Sequence, residues 1–293
     1  YIFENWAKSL KAAGINMVNG NIIGSEVVFD NNFYGSGWEY DDLQFAYAAP
    51  IGGLSFNENA VQIVVTPGSE TGKPADISIS PDTGYISIVN KTNTISSTRI
   101  QQISTTRKIG SNEIIVSGTI STDRRQVTRS VSIETPAMFT LTVLKETLEA
   151  NGLTVNGSVV VKEDITANIE ENEADLTQLA SHESPKMSEI LKVVNKSSNN
   201  FYAEQLLKTL GYEFTGLGSF GSGAGIVRGF LSGIGVNTDQ FYQYDGSGLS
   251  RHNLVMPAQI AALLKYMRSH PQFNVFYESL PIAGVDGTIG NRM

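Results

Sequence analysis

The sequence predicts a multidomain α/β protein, a reading that rests on three observations. At 293 residues the chain exceeds the size at which a single hydrophobic core usually stops growing. Residues 60–133 carry short β-branched runs separated by turn signals such as Pro67-Gly68, Asp82-Thr83-Gly84 and Gly110-Ser111-Asn112, the mark of consecutive strands. Beyond residue 136 the apolar positions shift to a spacing of three and four, the mark of helices.

In chain order, Phe3, Trp6, Ala7 and Leu10 form an amphipathic helix that Gly14 ends. Residues 15–18 and 21–23 flank Asn19-Gly20, a type I′ turn pair, and so predict a hairpin. Residues 29–50, rich in glycine and aromatics, read as a loop with aromatic anchors. Strands are expected at 61–65, 85–89, 113–116 and 127–133, alternating polar and apolar as in sheets covered on one face. Pro136 opens a helix on which Ala137, Leu141, Leu144 and Leu148 share a face, and Asn151-Gly152 closes it. A strand at 155–161 follows, then an acidic run at 170–175 that reads as a solvated linker or exposed helix start.

Two further helical stripes come next, Met187, Ile190, Leu191 and Val194 before Ala203, Leu206, Leu207 and Leu210. Gly211 is expected to stop the second helix. Gly216-Leu217-Gly218-Ser219-Phe220-Gly221 spells the dinucleotide fingerprint, but that motif needs a strand before it, and here a helix precedes. Its glycines are therefore expected to serve a flexible loop and tight packing ahead of a helix at 226–231.

Composition excludes several classes of function. The net charge of −8, spread along the chain, offers no basic stripe for nucleic acid. No run of about 18 apolar residues is present to form a membrane-spanning helix. With no cysteine there is no disulfide, thiol nucleophile or cysteine-rich zinc site. His182, His252 and His270 are far apart in sequence and form no helical pair, so neither a metal nor another cofactor is expected.

The junction Asn195-Lys196-Ser197-Ser198-Asn199-Asn200 sets hydroxyls and carboxamides between two apolar helices. Cap chemistry alone accounts for such residues at a helix start. The cluster is longer than one cap requires, however, and a polar junction between apolar helices suits a cleft wall. The run Tyr244-Asp245-Gly246-Ser247-Gly248-Leu249-Ser250-Arg251 likewise reads first as a turn.

Together these runs resemble the penicillin-binding D-alanyl-D-alanine carboxypeptidases and endopeptidases, the large-insert, low-molecular-mass class C type. Ser198-Asn199-Asn200, flanked by Asn195-Lys196 and Ala203-Glu204, is similar to the Ser-x-Asn motif of penicillin-interacting serine enzymes. Asp245-Gly246-Ser247-Gly248-Leu249-Ser250-Arg251 follows it in the family order, and residues 280–289 resemble the segment leading towards Lys-Thr-Gly. Trp38, Asp42 and Tyr47 match a Trp-x-x-x-Asp-x-x-x-x-Tyr pattern of the family's inserted region.

The resemblance implies part of a β-lactamase/transpeptidase-like serine DD-peptidase domain at 183–293. It implies an insert domain from 1–28 and 103–182, with a β-rich domain of 29–102 nested inside. It also implies a periplasmic or otherwise extracytoplasmic, envelope-associated enzyme that cleaves peptidoglycan stem peptides through an acyl-enzyme and is acylated by β-lactam antibiotics. Ser198 is then the proton relay and Asn200 the holder of the substrate backbone. Leu249 and Arg251 border the side-chain pocket, and Asp42 with Tyr47 meets the free ammonium end of the stem peptide.

The departures carry equal weight. No Ser-x-x-Lys occurs; the nearest form is Thr142-Val143-Leu144-Lys145 in an apolar helix. Lys-Thr-Gly is also absent, because Lys91-Thr92 is followed by Asn93 and Lys208-Thr209 by Leu210. In the family one motif precedes the insert and the other closes the cleft, so the sequence is expected to be a piece of a longer enzyme that lacks its nucleophile. Two other classes stay open at this point: a non-catalytic wall-peptide binder, and a β-lactamase or esterase on the same scaffold.

Overall fold

The structure, a computed structural model, describes residues 2–96, 102–162 and 176–292. They divide into two compact units, Tyr1–Val27 with Tyr40–His182, and Val28–Glu39 with Glu183–Met293. The acidic run expected to be a linker lies outside the described residues.

The first unit opens with helix α1 (Ile2–Ala12), which buries Phe3 and Ala7 and ends before Gly14. Two short strands follow, β1 (Met17–Val18) and β2 (Ile22–Ser25), then β3 (Ala60–Thr66), β4 (Asp76–Ser80), β5 (Ser87–Ile95), β6 (Gln102–Arg107), β7 (Glu113–Ser121) and β8 (Val127–Ser132). Helix α2 (Pro136–Ala150) and strands β9 (Thr154–Val155) and β10 (Val159–Lys162) complete it. β3 lies between β4 and β8, antiparallel to both. In the other three-stranded sheet β7 runs parallel to β5 and antiparallel to β6.

Strand alternation builds the core. Val61, Ile63 and Val65 point inward from β3 while Gln62 points out, and they meet Ile114, Val116 and Ile120 of β7. Helix α2 is buried on more than its expected stripe, because Phe139 and Val143 join this core from a different face than Leu148.

Two expectations are corrected here. β1 and β2 do not form a hairpin around Asn19-Gly20; β1 pairs in parallel with β9, and β2 in parallel with β10. Tertiary pairing overrides the local turn signal: Asn19 and Asn21 are bonded to the matching Asn156 and Ser158 of the returning chain, and the Ile22 N–H donates to the Ser158 carbonyl at 3.0 Å. The border expected at residue 102 also does not divide the β-rich region. β3 and β5 take partners from beyond it, β8 and β7, whereas residues 28–39 group with the second unit. Strands β4 and β6 were not foreseen, since Ser, Thr and Gln hide their alternation.

One buried charge anchors the 40–48 segment in this unit. Arg107, fully buried, pairs with Glu134 and donates from Nη2 to the Leu43 carbonyl at 2.8 Å; the Ser132 hydroxyl donates to the same carbonyl at 2.5 Å. Removing the guanidinium takes the cation from the partly buried Glu134 and leaves the Leu43 carbonyl to the Ser132 hydroxyl. Arg107→Ala is expected to cost about 3–5 kcal/mol in urea unfolding, against no measurable change for the exposed Lys108→Ala. Equal midpoints for the two variants would refute this role.

The second unit is helical: α3 (Met187–Ser197), α4 (Asn200–Thr215), α5 (Phe220–Gly233), α6 (Pro257–Ser269) and α7 (Phe273–Ser279). α4 runs through Gly211 rather than stopping there, and Gly216 at φ +74° ends it. Of the fingerprint-like glycines, Gly216 and Gly218 lie between the two helices and Gly221 is in the first turn of α5, which Ser219 caps through the Ser222 N–H. Close packing explains the glycine content: a Cβ at Gly223 would stand 2.0 Å from the Leu207 carbonyl oxygen of α4. No described helix of either unit is long and apolar enough to cross a membrane.

Candidate active site

The polar junction is the corner between α3 and α4. Ser198 sits there in the left-handed conformation, φ 55° and ψ 51°, a state that costs a non-glycine residue about 1–2 kcal/mol. Asn199 is the N-cap of α4, its carboxamide oxygen accepting from the Tyr202 N–H at 3.0 Å. Cap chemistry therefore accounts for Asn199 alone. Ser198 is exposed on the strained corner, and Asn200, half-buried, opens the first turn of α4.

The corner is tied to the 280–289 segment. Asn195 donates to the Ser279 hydroxyl at 2.7 Å, and Lys196 reaches the Leu280 carbonyl at 3.0 Å and the Asp286 carboxylate at 2.5 Å. The bond from Lys196 holds the Asp286 pKa below the usual carboxylate range. The residues that flank Ser-x-Asn in sequence thus bind the segment leading towards the expected Lys-Thr-Gly position.

The face that α4 buries is shifted from the predicted one, with Leu207 common to both. Leu210 is exposed, while Glu204, Leu207, Lys208 and Gly211 are buried. Lys208 places its ammonium 2.8 Å from the Asp30 carboxylate and 3.0 Å from the Asn32 carbonyl, between the rings of Phe29 and Phe220. Glu204 accepts from the Gly246 and Ser247 N–H groups at 2.6 and 2.8 Å. Sequence reasoning treated Glu204 as a flanking residue and Lys208 as part of a failed Lys-Thr-Gly. The missed signal was their spacing of four, which put two charges on one helix face at the Leu207 position.

The 244–251 run is a turn, and a closed one. Buried Asp245 accepts from the Trp38 indole N–H at 2.9 Å, the Gly248 N–H at 2.9 Å, the Ser250 N–H at 2.5 Å and the Asn253 carboxamide at 2.6 Å. Leu249 is half-buried on this turn. Arg251 is exposed, and its Nε pairs with Glu39.

Among the expected residues, Ser198, Asn200, Leu249 and Arg251 belong to the second unit, together with Trp38. Asp42 and Tyr47 belong to the first. Within it they form one feature: the Tyr47 hydroxyl donates to Asp42 Oδ1 at 2.7 Å, and its ring stacks on Phe45 at 5.4 Å. Among the described residues no cluster of His, Cys, Asp and Glu is placed to hold a metal ion.

The sequence profile of the D-Ala-D-Ala carboxypeptidase 3 (S13) family matches residues 3–293. The chain belongs to this family. It is 34% identical over 298 residues to the D-alanyl-D-alanine carboxypeptidase of an Actinomadura species, covering 98% of this chain and 54% of that protein. It is 25% identical to the D-alanyl-D-alanine carboxypeptidase DacB of Haemophilus influenzae, over 97% of this chain and 58% of that one. The family fold is equally visible in three dimensions. The crystal structure of penicillin binding protein 4 (dacB) from Haemophilus influenzae superposes with a TM-score of 0.79 at 24% identity, over 99% of this chain and 62% of that one. A second crystal structure of that protein, complexed with a novel β-lactam, superposes at 0.72. The chain therefore spans little more than half the length of the relatives it matches.

The buried carboxylate of this family member gives a pH dependence. Burial raises the Glu204 pKa to about 7, and nearby Asp245 raises it too, against the lowering effect of the Ser247 and Gly246 hydrogen bonds. Because the folded value exceeds the unfolded value of 4.5, the folded state holds this proton more tightly. Its contribution to stability is full below the unfolded pKa and is lost as pH rises towards about 7. The loss is expected to reach about 3 kcal/mol, read as urea midpoints at intervals across that window. Glu204→Gln is expected to flatten the profile there; parallel profiles for the two proteins would contradict the assignment.

Proposed function

We propose that the protein carrying this chain is a serine-type D-Ala-D-Ala carboxypeptidase or endopeptidase of the bacterial cell envelope. It acts on peptidoglycan stem peptides and is acylated by β-lactams. The observation that carries this reading is the α3–α4 corner: Ser198 strained and exposed, Asn200 one step into α4, both within a chain that belongs to the S13 family.

In this mechanism an activated serine attacks the carbonyl carbon between two D-alanines. The C–N bond breaks, and the serine proton passes through the Ser198 hydroxyl to the leaving amine. Water then adds to the ester, the acyl–oxygen bond breaks, and the serine hydroxyl is restored. The Asn200 carboxamide holds the peptide backbone during both steps. No Ser-x-x-Lys occurs in these 293 residues, so the nucleophile and its lysine are assigned to the length of the relatives that this chain does not span.

Leu249 and Arg251 border the side-chain pocket, with exposed Arg251 binding a stem-peptide carboxylate. Asp42, oriented by the Tyr47 hydroxyl, takes the free ammonium end of the stem peptide.

The first test is the intact mass of the full-length protein before and after incubation with a penicillin. Gain of one penicillin supports the acyl-enzyme reading. A full-length protein that gains none but binds stem peptide is a wall-peptide binder instead. In the acylating protein, Ser198→Ala is expected to slow acylation about 10²- to 10⁴-fold with little change in stability. An unchanged acylation rate removes the proton-relay role. Asp42→Ala is expected to weaken a stem peptide with a free amino end roughly tenfold, while leaving its N-acetylated analogue unaffected. An unchanged ratio of the two affinities takes Asp42 out of the site.

A further inference from the structure

The Ser198–Asn200 corner and the Leu249–Arg251 turn come from stretches of sequence some fifty residues apart, and one side chain connects them. Glu204 lies four residues after Asn200, one turn further along the same face of α4. It is fully buried, and its two carboxylate oxygens take one backbone N–H each, from Gly246 and Ser247.

The fit leaves no slack. A Cβ at Gly246 would stand 2.4 Å from the Ala203 carbonyl oxygen and 3.1 Å from Glu204 Oε2, so the turn lies directly on the α4 backbone. Asp245 closes the turn from its other side through the Gly248 and Ser250 N–H groups, and so carries its position on to Leu249 and Arg251. The charged groups near Glu204 are Asp245 from the turn and Lys208 from the next turn of α4, the latter engaged by Asp30.

We propose that Glu204 is a positioning residue for acyl transfer, holding the 245–251 turn at a set distance from Asn200 so that the substrate meets both at once. The proposal rests on the acyl-enzyme reading above. A carboxylate suits the task because the turn presents two adjacent N–H donors, and only an ionised carboxyl offers two full acceptors to them. A carboxamide of the same shape keeps one acceptor and turns an N–H₂ towards the other donor.

The test uses Glu204→Gln in the full-length protein at pH 8, with two readouts. Amide hydrogen exchange at Gly246 and Ser247 reports whether the side chain holds the turn. The acylation rate constant by a penicillin, expressed per acylable molecule and separated from the reversible affinity, reports whether holding it matters. Exchange at both amides is expected to quicken at least about tenfold. The acylation rate constant is expected to fall about 10- to 100-fold, beyond any change in the fraction of folded protein.

A purely structural Glu204 would lower the acylable fraction but leave the rate constant per acylable molecule as in wild type, and that result overturns the proposal. So does unchanged exchange at the two amides. A wild-type protein that forms no penicillin adduct overturns the acyl-enzyme reading instead. The exchange data then still decide whether Glu204 holds the turn.

Discussion

The second unit depends on two buried ionisable side chains set one helical turn apart on α4. Glu204 takes the backbone of the 245–248 turn, and Lys208 takes the backbone and carboxylate of the 28–39 segment. Neither side chain is tolerable inside without its partners, since a buried polar group left unpaired costs about 1–3 kcal/mol and a charged one more. The two segments are therefore fixed to α4, and through it to the corner where Ser198 and Asn200 sit. The Trp38–Asp245 and Ser250–Ser36 bonds then join the two held segments to each other. The result is a polar frame around one helix, built from remote pieces of chain.

A similar economy operates in the first unit, where Arg107 is the buried charge. Its guanidinium reaches across to the Leu43 carbonyl, and β8 adds the Ser132 hydroxyl to the same acceptor. The segment bearing Asp42 and Tyr47 is held by these bonds and by an antiparallel bridge from Phe45 to Val131 of β8, and its own structure is short 3-10 turns. In both units a loop with candidate binding residues is held by a buried ion bonding to its main chain. Main-chain anchoring leaves the side chains of those loops free to vary while their position stays set.

The α3–α4 junction was legible because helix caps and apolar stripes are local. Met187, Ile190, Leu191 and Val194 declared one helix, and the polar run after them declared its end. The surplus of polar groups over what one cap needs marked the run as a cleft wall, and the resemblance to a Ser-x-Asn motif singled out Ser198 and Asn200 within it. The burial of Glu204 was not legible, since a glutamate near a helix start has an ordinary explanation in the helix dipole. The Asn19-Gly20 turn misled for the complementary reason. A strong local signal was outweighed by Ile22 and Ile23 pairing with a strand more than a hundred residues away.

By itself, then, the sequence determined helices α1 to α4 and the strands richest in β-branched residues, the exclusion of thiol chemistry, and the motifs that mark an S13 family member. Those properties follow from residue type and from spacings within a few turns. Tertiary structure alone decided which strands pair, which face of α4 is buried, and which backbone amides Glu204 receives. Each of these is a contact between residues distant in the chain, and its free energy depends on burial that no local pattern of residues reports.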